Sequence, residues 1–311
     1  MTLTQLSYIV AVDRYRHFAT AAEEVYVTQP TLSMQIHKLE DELGVTIFDR
    51  SKSPVVPTEA GKKIIAEAKK ILKQSKHIED IASFSDSELR GTFRVGVIPT
   101  VAPYLLPLFL RPFTKKYPNV QLVFEEAITE ELLSQLEDDL IDAAIIATPT
   151  EQGYIFEREL YSEPFIGYLA ENHNLATKDK LTIEDLEIED LWLLNEGHCF
   201  RDQTVQLCKK QNKKRTNKHI EFSSGNLETL KQLVDENFGM TLLPYLAVKQ
   251  LKKKCIKAHV RYFKEPAPRR KVRLIYGRKY LKQHIIKAFI ETIARVIPKQ
   301  LRQTEDAMLV E

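Results

Sequence analysis

Leu3, Leu6, Ile9 and Val10 fall on one face of a helix over residues 1–12. A second helical stretch runs from Phe18 to Val25, and its alanines let a neighbouring helix approach closely. Tyr26 and Val27 break it. Thr28 then caps a third helix, with Pro30 in the first turn, where a missing N–H does no harm. Leu32, Ile36, Leu39 and Leu43 recur at i, i+4, i+7 and i+11, which makes one buried stripe, and Gly44 ends the helix. Ile47-Phe48 and Val55-Val56 flank a polar tip from Asp49 to Pro54. That is the pattern of a short hairpin, a wing.

A long helix starts at Thr58-Glu59-Ala60-Gly61. Ile64, Ala68, Ile71, Ser75, Ile78 and Ala82 recur along it at alternating spacings of four and three, a heptad seam. The seam pairs with a second copy or lies against its own domain. The Ser83–Ser87 break that follows isolates the helix and favours pairing. From Phe93 the texture changes. Apolar runs at Phe93–Ile98, Val120–Phe124, Ala143–Ile146, Phe165–Leu169, Trp192–Leu194, Met240–Leu243 and Val272–Tyr276 alternate with helical stretches. The alternation predicts an α/β domain with largely parallel sheets, long enough for two lobes and a cleft.

The resulting fold class is a winged helix-turn-helix, a linker helix and a two-lobed α/β domain. Its boundaries are 1–58, 59–88 and 89–311; the first lobe takes about 89–163 and 269–305, and the second about 164–268. Hydrophobic residues at 43% and charged residues at 28% describe a soluble globular chain. No apolar run of roughly 18 residues occurs, so no membrane helix is expected. The first residues carry no basic segment and no small-residue cleavage site, which predicts a cytosolic protein. Three cysteines, Cys199, Cys208 and Cys255, make no disulfide framework and are expected as resting thiols. The net charge of +2 decides nothing about partners. Residues 1–58 even hold more acids than bases. The basic excess lies at 251–279 and reads first as a solvated face.

DNA binding therefore has to be argued from local pattern. The third helix offers Gln29, Thr31, Ser33, Met34, Gln35 and Lys38 to solvent, after Pro30. Such short polar residues suit base edges in a major groove, where Gln bonds adenine with both amide atoms and a methyl meets thymine. Arg50, placed at the wing tip, and Lys52 can reach phosphate or the minor groove. Any amphipathic helix has a polar face, so this pattern alone is weak. The segments AAEEVYVTQPTLSMQIHKLEDELGVTIFDR (21–50) and PTEAG (57–61), however, resemble the signature of LysR-type transcriptional regulators. The resemblance implies a homodimer or tetramer on a dyad-related site in double-stranded promoter DNA, with RNA polymerase as a further partner. It also implies that the α/β domain is of the periplasmic-binding-protein type. Met34 departs from the small residues common at its position.

The segment Asn195–Gln203, with Cys208 after it, carries the chemistry. Two such cysteines are either ordinary buried thiols or a redox pair. Metal binding by His198, Cys199 and Cys208 lacks a fourth ligand, so no metal is expected, and no cofactor either. In the redox reading, Asp202 caps a helix running to Cys208. Cys199 then precedes a helix N-terminus, where the dipole and a His198 imidazolium favour the thiolate. A thiolate attacks peroxide to give a sulfenic acid, and a second thiol condenses with it. A helix over 202–208 rises about 9 Å, whereas a disulfide needs Cα atoms within roughly 7 Å, so the helix must unwind.

GHCFRDQ, VGVIPTVAPYLLP (95–107), EAITEELLSQL (126–136), SSGNLETL (223–230), GMTLLPYLAV (239–248) and EPAPRRKVRLIYGR (265–278) resemble the hydrogen-peroxide-sensing members of the LysR family. That resemblance implies Cys199 as peroxidatic thiol and Cys208 as resolving thiol. It implies Thr100, Thr129, His198, Asp202 and Arg270 around the peroxide, and control of oxidative-stress genes rather than enzymatic turnover. Cys255 and the basic run 209–218 match no such motif. A LysR-type regulator of an organic effector, with incidental cysteines, is one rival. A thiol peroxidase is another, but a bare enzyme has no use for a winged helix. A periplasmic solute-binding protein fits neither the N-terminal helices nor the expected location.

Overall fold

In a computed structural model, residues 1–82, 89–150, 152–153, 155–187, 191–208, 224–277, 282–302 and 308–310 are described. They fall into two compact units, Met1–Asp86 and Ser87–Glu311. The basic run 209–218, the Ser83–Ser87 break, Ser223 and Arg278 lie outside the described residues, as does the side chain of Ala82.

Thr2 opens α1 (Leu3–Tyr15) with a capping box: its hydroxyl accepts the Gln5 N–H, and the Gln5 side chain accepts the Thr2 N–H. α2 (Phe18–Glu24) follows, then α3 (Gln29–Leu43). The Thr28 hydroxyl accepts the Thr31 N–H, Pro30 sits in the first turn, and Gly44 ends α3 in the left-handed region. Leu32, Ile36 and Leu39 are fully buried against Leu6, Ile9, Val12 and Ala21. Each large side chain removed from water contributes about 1.5–3 kcal/mol, enough to fix the orientation of α3. Leu3 and Leu43 are exposed, so the predicted stripes are each one residue too long.

The wing is a strand pair, β1 (Phe48–Asp49) against β2 (Val56–Pro57), antiparallel. The linker helix α4 (Glu59–Ala82) meets the wing at Gly61, where a Cβ would stand 2.0 Å from the Ile47 carbonyl oxygen. Only glycine permits that approach. The heptad seam divides. Ala68, with Ile65, is buried in the core of its own unit, whereas Ile71 is 41% and Ile78 68% exposed.

In the second unit the chain runs through β3 (Gly91–Val97), α5 (Ala102–Lys116), β4 (Val120–Glu126), α6 (Thr129–Glu137), β5 (Ala143–Ile146) and β6 (Phe156–Leu169). It continues through β7 (Lys180–Leu181), α7 (Cys199–Leu207), α8 (Leu227–Asp235), β8 (Met240–Pro244), α9 (Tyr245–Lys249), α10 (Lys253–His259) and β9 (Val260–Phe263). It ends with β10 (Pro268–Tyr276), α11 (Gln283–Val296) and β11 (Met308–Leu309). The strand order is β4-β3-β5-β10-β6-β9-β7, with β8 beside β6 and β11 beside β10. Phe289 of α11 packs edge-on against Phe93, Phe109 and Phe113 beneath this sheet.

The sheet is mixed rather than largely parallel. β3 pairs parallel with β4 and β5, but β10 is antiparallel to β5 and β6, and β6 is antiparallel to β8 and β9. The chain leaves along β6 and returns along β10, which forces opposite directions. β6 changes partner along its length: Phe156–Pro164 pair with β10, and Phe165–Leu169 with β8. Trp192–Leu194 is not a strand. Among the described residues Leu191 bridges Met240, and the Trp192 indole N–H donates to the Phe238 carbonyl at 2.6 Å.

Candidate DNA face and redox site

On α3, Gln29, Pro30, Met34 and Lys38 are exposed, and Thr31, Ser33 and Gln35 are half-buried. Two of these side chains already have partners within the unit. The Gln5 amide donates to Gln35 Oε1 at 3.3 Å, and Arg50 Nη1 donates to Ser33 Oγ at 3.3 Å. Arg50 is the first residue of the turn between β1 and β2. It donates to Glu40 Oε2 at 2.9 Å and lies over the Phe18 ring. Glu40 is a buried carboxylate on α3, whose other oxygen accepts the N–H groups of Ile47 and Phe48. A buried charge needs pairing, and Arg50 supplies it. It thereby fastens the wing to α3, and Lys52 is left as the exposed cation of the tip. The sequence reading missed Glu40; its signal was an acid on the buried side of an otherwise apolar stripe.

The redox site is built around the start of α7. The helix begins at Cys199, not after Asp202. His198 is the cap residue, without a side-chain cap bond, and Asp202 points to solvent from the first turn, paired with Arg201 at 3.3 Å. The helix dipole does act on Cys199, but burial dominates and raises the thiol above its ordinary value. Arg270, the Thr129 hydroxyl and the Phe200 N–H pull the other way. Burial also lowers the His198 pKa. The expected imidazolium is therefore a neutral ring at neutral pH, with its Nε2 against the Gly225 backbone.

Arg270 comes from β10 and is 1% exposed. Its Nε and Nη2 donate to Glu163 Oε1 at 3.0 and 2.7 Å; Nη1 donates to the Thr100 hydroxyl at 2.9 Å, and Nη2 to the Thr100 carbonyl at 3.0 Å. Glu163 is equally buried, and its second oxygen accepts the Leu246 N–H. The guanidinium lies over the Phe200 ring, which stacks on Phe165. Thr100 lies two residues before α5, and Thr129 opens α6. The Thr129 hydroxyl is buried, and among the described residues its one neighbour of hydrogen-bonding character is the Cys199 thiol, whose thiolate it favours. Four separate segments thus place a thiol, a cation and a buried hydroxyl together. Such a group suits a very small molecule that both donates and accepts hydrogen bonds.

Cys208 caps the far end of α7. It is 1% exposed, its thiol donates to the Thr204 carbonyl at 3.4 Å, and burial pushes it up to about 11. Nine helical steps separate the two cysteines, about 13 Å of rise, so they cannot bond while α7 is intact. The Gln203 amide N–H groups donate to the carbonyls of Ala147 at 2.9 Å and Val310 at 3.1 Å, which ties the middle of α7 to the end of β5 and to the terminal strand. Glu163 and Gln203 were not among the expected site residues. Among the described residues Cys255 lies apart, half-buried on α10.

A winged helix-turn-helix joined to an α/β unit with such a site defines a bacterial regulator with a DNA-binding part and a sensing part. Residues 3–62 match the bacterial regulatory helix-turn-helix proteins of the lysR family, and residues 86–298 match the LysR substrate binding domain. A hydrogen peroxide-inducible genes activator of Dickeya chrysanthemi is 36% identical over 276 residues, 89% of each chain. A full-length OxyR variant from Pseudomonas aeruginosa superposes with a TM-score of 0.76 at 35% identity, covering 96% of this chain and 99% of that one. A hydrogen-peroxide-bound Corynebacterium glutamicum OxyR mutant gives 0.60 at 32% identity, covering 95% and 94%. The chain belongs to the LysR family of transcription regulators and, within it, to the hydrogen peroxide-inducible genes activators. No helix among the described residues is long and apolar enough to cross a membrane.

Proposed function

We propose that this chain senses hydrogen peroxide through Cys199 and Cys208 and controls oxidative-stress genes from promoter DNA. It acts in the cytosol, as a homodimer or tetramer, in contact with RNA polymerase. The carrying observation is the convergence of the buried Thr129 hydroxyl and the Arg270 guanidinium on the buried Cys199 thiol. Hydrogen peroxide offers two donors and two acceptors in the smallest possible volume. The Cys199 thiol first releases its proton. The Cys199 sulfur attacks one peroxide oxygen, the O–O bond breaks, and the departing hydroxide takes up a proton to leave as water. The Cys208 thiol then attacks the sulfenic acid on Cys199: the S–S bond forms as the S–O bond breaks, and the thiol proton leaves with the hydroxyl as a second water. The two thiols supply both electrons. Intact-mass and peptide analysis before and after peroxide tests this: a loss of two hydrogens confined to the peptides of Cys199 and Cys208 is expected. An unchanged mass, or a bond involving Cys255, would rule it out.

Dimerisation is assigned to the outward half of the α4 seam. Ile71 and Ile78 are large, apolar and exposed, while Ile64, Ile65, Ala68 and Leu72 of the same helix pack into its own unit. Ile71→Asp places a charge in that seam and is expected to give monomers of a 1–90 fragment by light scattering. A fully dimeric variant would remove α4 as the interface.

A further inference from the structure

α2 ends in a pair of hydrogen bonds: the Val27 N–H reaches the Ala22 carbonyl at 3.0 Å, and the Tyr26 N–H reaches the Glu23 carbonyl at 3.1 Å. That is a Schellman end, and its left-handed residue is Tyr26, with φ of +57°. Glycine is the usual occupant, because a Cβ strains this conformation. Tyr26 is 95% exposed, so folding gains no burial from the ring. A strained backbone kept at a residue that packs against nothing points to a role outside the fold. Its place in the chain says which. Tyr26 stands two residues before Thr28, the cap of α3, and therefore beside the exposed Gln29 and Pro30. When a recognition helix docks, its N-terminal residues enter the major groove, and the turn before them faces the phosphates along the groove's edge.

We infer that Tyr26 anchors the DNA backbone: its phenolic O–H donates to a phosphate oxygen beside the N-terminus of α3 and holds the recognition helix in register. The inference rests on the DNA-binding reading of the chain. A neutral donor to phosphate leaves three marks. It carries no sequence information, so its loss weakens every duplex alike. It releases no counterion, so the salt slope does not change. Its residue costs the fold rather than supporting it, so glycine at this position does not lower stability.

The test uses the full-length reduced protein, a duplex that the wild type selects from a random pool, and a random duplex of equal length, titrated between about 50 and 200 mM salt. Tyr26→Phe and Tyr26→Gly are each expected to lose about fivefold on both duplexes, the effect of one hydrogen bond, along lines parallel to wild type. Tyr26→Gly melts no lower than wild type. Gln35→Ala is the contrast and loses roughly tenfold on the selected duplex alone, as a base reader does. Wild-type binding by Tyr26→Phe overturns the anchor, as does a loss confined to the selected duplex or a flattened salt slope. A wild-type protein that prefers no duplex overturns the DNA-binding reading instead.

Discussion

Hydrogen peroxide, added below one equivalent per subunit, is expected to oxidise Cys199 first and then to join it to Cys208, with α7 lost as a helix. Cys199→Ser should abolish both the disulfide and the transcriptional response. Cys208→Ser should leave a sulfenic acid on Cys199 that a dimedone-type reagent captures. The pH dependence follows from burial. The Cys199 thiol is raised above its ordinary value, so near neutral pH the reactive thiolate is a minor species. Its fraction, and with it the oxidation rate, should climb about tenfold per pH unit until the raised value is reached. Thr129→Val removes the hydroxyl beside the thiol and should slow oxidation without touching DNA binding by the reduced protein. Switching a population from 1:99 to 99:1 takes about 5.5 kcal/mol of bias. A bond that cannot exist while α7 is helical supplies a bias of that kind. Structures of the reduced and oxidised protein with the same helix over Cys199–Leu207 would end this account, even with the disulfide present.

Glu163→Gln should strongly destabilise the sensing unit. Arg270 and Glu163 are both 1% exposed, and removing one partner leaves an uncompensated charge in the interior. The expected loss is about 3–5 kcal/mol, read as a lower midpoint in urea at unchanged slope. The same variant has a second, opposite signature at the thiol. Glu163 neutralises the guanidinium that draws the Cys199 pKa down. Without that carboxylate the cation acts undiluted, and Cys199 should ionise at lower pH than in the wild type. Arg270→Met should do the reverse and raise the thiol further. Equal urea midpoints for wild type and Glu163→Gln would show that the pair contributes no stability. Thiol titrations that shift in the same direction in both variants would detach Arg270 from Cys199.

The helices were legible because their periodicity is a local property. Thr28, Pro30 and Gly44 mark the ends of α3 in the sequence as clearly as in space. The start of α7 was not legible: His198 is a poor cap, while Asp202 resembles a good one, so the helix was placed one turn late. The first half of β6, Phe-Glu-Arg-Glu-Leu, and the Pro-Arg-Arg-Lys opening of β10 hid two long strands, because their charges find partners only across the sheet. The sequence marks Arg50 as a cation for DNA and Arg270 as one near the Cys199 thiolate. Each also pairs with a buried carboxylate, Glu40 and Glu163, and tertiary pairing of that kind leaves no trace in spacing. The protonation state of His198 came out reversed for a similar reason: adjacency to Cys199 is visible in the chain, and burial is not. Thr100, Thr129, Cys199 and Arg270 arrive from four distant segments, and only the family resemblance brought them together in advance.

The unequal burial of the three thiols makes the protein its own bookkeeper. Cys208 and Cys199 are buried, and Cys255 sits half-open on α10. A bulky alkylating tag applied to the folded, reduced chain therefore meets Cys255 first, whatever the state of the other two. The same tag applied after unfolding meets every thiol that is not in a disulfide. The first label counts molecules, and the second counts switches not yet thrown. Their ratio within a single sample reports the oxidised fraction with no external standard.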